Sequence, residues 1–86
     1  MTEEIKMDVG VQPLDEIMTH NEIKNHDLVA AVAPGFINHK QVQKARKGRR
    51  LTTNLQDKIV EALNAYSAPE SYEFQQVFNY RGKKSL

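Results

Sequence analysis

The apolar positions of this chain recur at helical spacing for most of its length. Leu14, Ile17 and Met18 fall on one face behind Pro13, a residue suited to a first helical turn. Asp15 and Glu16 follow it, where the helix dipole favours acids, so a short helix is predicted from 13 to about His20. Asn25 is a good N-cap for a second helix, whose small apolar body is Leu28, Val29, Val32 and the alanines Ala30, Ala31 and Ala33. Pro34 and Gly35 break it and turn the chain. Asn38 can cap a third helix that Gly48 ends. Thr53 with Gln56 three residues on has the form of a capping box, and Leu55, Ile59, Ala62, Leu63 and Tyr66 make a stripe behind it.

The two ends read differently. Residues 1–12 have weak periodicity and are expected to form a flexible N-terminal arm. Near the other end, Tyr72, Phe74, Phe78 and Tyr80 alternate as a strand would, whereas Phe74, Val77 and Phe78 fit a short helix that Ser67 and Glu70 could start. The helix is the better reading, because the rest is helical and no partner strand is visible. The expected architecture is all-α: a compact bundle of four to five short helices over 13–80, with a frayed basic C-terminal tail at 81–86.

Length and composition narrow the classes. Eighty-six residues make one domain, near the small end of what folds alone. With no cysteine, neither a disulfide framework nor a thiolate metal site is available, which fits a reducing compartment. The acidic MTEEIKMDVG start lacks the basic and apolar segments of a secretory signal, and no apolar run is long enough to span a bilayer. A cytoplasmic protein with no membrane contact is expected.

Charge changes the picture more. The formal net charge is only +1, yet residues 1–27 hold seven acids against two bases, residues 28–56 hold six bases and no acid, and residues 57–86 hold four of each. All six bases of the middle third lie in "NHKQVQKARKGRR", residues 38–50, together with His39. An anionic partner would meet this segment. On a helical wheel with Val42 at the centre of the buried face, Ala45 lies beside it and Asn38 one turn above. Lys40, Lys44 and Lys47 line up on the opposite side with Gln43 at their edge, His39 and Arg46 flank them, and Arg49 and Arg50 follow. Like charges four residues apart cost a helix a few tenths of a kcal/mol per pair. A polyanion relieves that cost, since each neutralised phosphate releases condensed counterion.

A short helix of small residues, a turn, and a basic helix with only a slim buried side is the plan of a helix-turn-helix, whose second helix enters the major groove. Residues 25–66 resemble the Cro/CI phage-repressor (Xre-type, lambda repressor-like) class of DNA-binding domains. The segments that carry the resemblance are "NHDLVAAV" as scaffold helix, "INHKQVQKARKGRRLT" as recognition helix and exit, and "NLQDKIVEALNAY" as the packing helix. Val42, Ala45 and Gly48 stand three apart, where that class has its buried pair and the glycine that ends the helix. The turn departs from the class: "APGF" adds residues to it, leaving either Val29 or Ala30 for the usual small buried position.

The resemblance implies double-stranded DNA as partner and transcription regulation as role, with His39, Lys40, Gln43 and Lys44 at base edges. Such chemistry is sound, since Lys donates to guanine O6 and N7, Gln can bridge adenine N6 and N7, and His can donate to a purine N7. Asn38, Arg46, Lys47, Arg49 and Arg50 would then hold phosphates. Val42, Ala45, Leu51, Leu55, Ile59 and Leu63 read as core. Residues 72–80 have two readings: a homodimer interface, since two-fold pairing is how such small modules gain affinity, or rings that simply cover the core formed by the other helices.

Other classes fit less well. His20, His26 and His39 have no ligand-like spacing and no nucleophile–base set is apparent, so neither an enzyme, a metal, a cofactor nor a small-molecule ligand is expected. The main rival is a protein-interaction module on the same helical plan, using the aromatic "YEFQQVFNY". A transport signal would explain KARKGRR only as an unfolded string, and a deep narrow RNA groove does not admit a helix well.

Overall fold

The structure, a computed structural model, describes residues 9–82. Among these the chain forms five helices and no strand: α1 (Pro13–His20), α2 (Asn25–Ala30), α3 (His39–Lys47), α4 (Thr53–Ser67) and α5 (Phe74–Val77). The all-α expectation holds. α2 packs against both α3 and α4, α1 packs against α3 and α5, and α4 backs the set. Their shared interior is built from Leu14 and Met18 of α1, Leu28 of α2, Val42 and Ala45 of α3, Ile59, Ala62 and Leu63 of α4, with Ile37, Leu51, Val77 and Phe78. Each large side chain taken out of water contributes about 1.5–3 kcal/mol, so a core this small leaves a real share of the work to specific polar contacts.

Local signals account for most helix boundaries, but both ends of α2 and the start of α4 differ from the sequence expectation. α2 begins at Asn25 itself, with Lys24 as N-cap, and the Lys24 N–H donates to Asp27 Oδ2 at 2.8 Å. Asn25 is thereby released to point its amide at α3. α2 also stops at Ala30, short of Pro34. The chain then crosses over by a turn in which Phe36 N donates to Ala33 O at 3.0 Å, with Gly35 at φ +86°, as a Pro-Gly turn of type II requires. Of the two residues left open for the small buried position, Val29 is half-buried and Ala30 is exposed. α4 is capped by Thr52, one residue earlier than expected, whose hydroxyl accepts from Leu55 N at 3.3 Å. Gln56 has no capping role: it is fully buried, donates to Tyr80 O at 3.0 Å and accepts from Gly82 N at 2.6 Å. Tyr66 is exposed and leaves the stripe, and Leu55 is only half-buried.

The ends are docked farther out than the sequence implied. Val9 N donates to Gly48 O at 2.7 Å and Gln12 N to Arg46 O at 3.2 Å. The Gln12 side chain is buried; it donates to Gly10 O at 2.9 Å and accepts from Asn79 N at 2.8 Å. The arm expected at 1–12 is therefore part of the fold from residue 9, because it satisfies carbonyls at the end of α3; residues 1–8 lie outside the described residues. In the same way Arg81 reaches Asp57 at 3.0 and 3.4 Å and stacks 4.4 Å from the Phe74 ring centre, and Gly82 sits on Gln56. The tail expected at 81–86 is docked through residue 82, and 83–86 lie outside the described residues.

The aromatic segment resolves as a short helix with extended flanks. It starts at Glu73, whose N–H donates to Gln76 Oε1 at 2.7 Å, and not at Ser67. Asn64 of α4 pins its approach through two bonds to the Tyr72 backbone, at 2.7 and 3.1 Å. Phe78 is buried and touches Phe74 and Tyr80 at ring-centre distances of 5.5 and 5.9 Å. Phe78 lies within the core, and Tyr72, Phe74 and Tyr80 pack half-buried against it.

Candidate nucleic-acid interface

α3 is short, strongly basic and well bounded. Asn38 Oδ1 accepts from Gln41 N at 2.8 Å while Gln41 Oε1 accepts from Asn38 N at 3.0 Å, a reciprocal cap. At the other end Gly48 takes φ +96°, and Gly48 N and Arg49 N both donate to Lys44 O, at 3.1 and 3.0 Å. Lys44, Arg46 and Lys47 occupy the last turn, where the dipole favours cations.

The wheel drawn from the sequence describes the helix correctly on its inner side. Val42 and Ala45 are fully buried. On the outer side His39, Lys40, Gln43, Lys44 and Lys47 are all exposed, and Arg49 and Arg50 continue the exposed band past the helix end. Among the described residues no acid pairs with Lys40, Lys44 or Lys47. Arg50 lies 5.8 Å from the centre of the Tyr80 ring.

Two of the expected phosphate contacts are differently occupied. Arg46 does not flank the outer row. Its guanidinium turns inward, donating from Nε to Asp15 Oδ1 at 2.7 Å, from Nη1 to Asn25 Oδ1 at 2.7 Å and from Nη2 to Thr19 Oγ1 at 3.2 Å. Its side chain is 18% exposed. One residue thus ties α3 to both α1 and α2, and a guanidinium with three protein acceptors has little left for a phosphate. Asn38 has both its side chain and its N–H engaged in the cap. The N–H groups a helix start leaves unpaired are then those of His39 and Lys40.

Asn25 was missed as a site residue. Besides accepting from Arg46, it donates from Nδ2 to Gln43 Oε1 at 2.9 Å. Asp15, expected only as a favourable charge in the first turn of α1, and Thr19 complete the acceptor set around Arg46. Nothing in local spacing pairs residues 18 to 31 apart; the only clue was that Arg46 falls nearer the buried face of the wheel than the lysines do.

Tyr80 supports the exit from α3. Its hydroxyl donates to Arg49 O at 3.2 Å and accepts from Leu51 N at 2.9 Å. Burial pushes the phenol above the ordinary tyrosine value, outweighing the opposing pull of the Leu51 N–H and of Arg50. It therefore serves as a neutral strut behind Arg49 and Arg50.

Among the described residues no group of three or more His, Asp or Glu is arranged to hold a metal ion, and no helix is long and apolar enough to cross a membrane. Compared with known protein families, curated proteins and solved structures, the chain matches none of them.

Proposed function

We propose that this protein binds double-stranded DNA by laying α3 in the major groove, and acts as a small regulator of transcription. The observation that carries the reading is the two-sidedness of α3. Its inner side is narrowed to Val42 and Ala45, and its outer side offers Lys40, Gln43, Lys44 and Lys47 with no acidic partner among the described residues. A helix of that section fits a groove about 12 Å wide, and unpaired lysines in one row become favourable once phosphates replace their counterions. In this reading His39, Lys40, Gln43 and Lys44 approach base edges, while Lys47, Arg49 and Arg50 follow the backbone. The likeness of residues 25–66 to lambda repressor-like domains supports the same docking, and such a protein would work in the cytoplasm, on the nucleoid. The extra residues around Pro34 and Gly35 lie in the turn between α2 and α3, ahead of the exposed row of α3.

Fluorescence anisotropy with a random duplex pool across a salt series, followed by sequencing of the bound fraction, tests it. Affinity should fall steeply with salt, and an enriched motif should vanish in Lys40→Ala and Lys44→Ala. Lys47→Ala should weaken all sequences alike and reduce the salt slope by about one. No binding at low salt would overturn the proposal.

A further inference from the structure

The polar chain running from α1 to the outer face of α3 has a direction. Asp15 can only accept, so it takes the Arg46 Nε–H. A guanidinium can only donate, so the Asn25 atom facing Arg46 Nη1 must be its oxygen, Oδ1. With that oxygen committed, the other end of the Asn25 amide is Nδ2, a donor, and the Gln43 atom facing it must be Oε1. Each orientation is forced by the one before it. At the end of the chain stands an exposed glutamine whose NH₂ group is the half turned away from Asn25.

We infer that this relay sets Gln43 as a donor-presenting base reader, selecting guanine, with its N7 and O6 acceptors, over adenine. The inference rests on the DNA-binding reading above and deepens it. A freely rotating glutamine bridges adenine by accepting from N6 and donating to N7. Here that pairing asks Oε1, already bonded to Asn25, to accept a second bond on the groove side. Guanine asks only for N–H donors, which Gln43 Nε2 supplies. Asn25 is in this scheme a positioning residue: it acts on the base through Gln43. Asn25 also bridges Gln43 and Arg46, which are neighbours three apart on one helix, so a single α2 side chain holds both the anchor and the reader.

The experiment is selection from a random duplex pool with the full chain and three variants, with binding measured on the enriched sites. The unmodified protein should enrich a motif containing a guanine that Gln43→Ala no longer requires, with discrimination there reduced about tenfold or more. Asn25→Ala frees the amide and should broaden that one position. Asn25→Asp keeps the acceptor for Arg46 but turns the other half of the side chain into an acceptor as well. Gln43 must then present Nε2 to it and Oε1 to the groove, so the preferred base should move from guanine toward adenine or cytosine, which offer donors. A role in folding alone would lower affinity for every site and leave base identity unmoved. Adenine at the Gln43 position in the unmodified protein, or a motif indifferent to Gln43→Ala or to Asn25→Asp, would overturn the relay while leaving DNA binding standing. Absence of binding by the unmodified protein would overturn both.

Discussion

At its N-terminal end α3 is closed by Asn38 and Gln41, which exchange hydrogen bonds across a single turn. At its C-terminal end the same helix is closed by the far parts of the chain. Val9 and Gln12 bond the carbonyls of Gly48 and Arg46, and Tyr80 supports Arg49 and Leu51. Both ends meet the same demand, since a helix terminus leaves backbone groups without intrahelical partners. The first solution is local and carries little of the tertiary structure. The second makes the exit of the basic helix the place where both ends of the chain are fastened, so damage there should spread.

The sharpest way to break this contrast is Gly48→Ala. The added Cβ would stand 1.9 Å from Gly10 O, on a residue whose φ of +96° already disfavours a side chain. Strain at the left-handed position and displacement of the arm together should lower stability by about 3 kcal/mol or more, read as a shifted urea midpoint. A loss under about 1 kcal/mol would mean that the arm is not part of the closure.

Tyr80→Phe tests the other distant strut. Leaving the Leu51 N–H without its partner should cost about 1.5 kcal/mol. The pH dependence has a definite sign. The phenol is held above its ordinary value by burial, so the unfolded chain loses its proton first as pH rises. The contribution is whole below about pH 10 and is lost as pH climbs past it, and Tyr80→Phe should flatten that alkaline decline in urea titrations.

The smallest effect belongs to the local end. Asn38→Ala should cost about 1 kcal/mol, and Asn38→Asp or Asn38→Ser much less, because either replacement keeps an oxygen for Gln41 N. Equal losses at Asn38 and Gly48 in the same assay would remove the distinction between the two ends.

The contrast also explains what could be read from the sequence. Asn38, Gly48, the buried pair Val42 and Ala45 and the exposed lysines were legible because they depend on neighbours three or four positions away. α1 and the body of α4 were legible for the same reason. Gln12, Asn25, Arg46 and Gln56 were not. Each is a polar residue whose partner lies on another element, and a glutamine that caps, one that is solvated and one that clamps a distant strand of chain look alike in one dimension. Asn25 misled most directly, since a good N-cap residue took the next position and gave its amide to α3. The rings of 72–80 were legible as rings that cover the core, since Phe78 is buried and Tyr72, Phe74 and Tyr80 pack against it.

Gln12 accepting from Asn79, 67 positions later, has a kinetic consequence. Helical bundles fold fast because most of their contacts are close in sequence. Here the helices can nucleate on such contacts, but the lid of the core is a joint between the two extremities, and its loop closes only when nearly the whole chain is at hand. The joint between Gln12 and Asn79 is therefore expected to form after the helices it spans, so Gln12→Ala should speed unfolding in stopped-flow more than it slows folding.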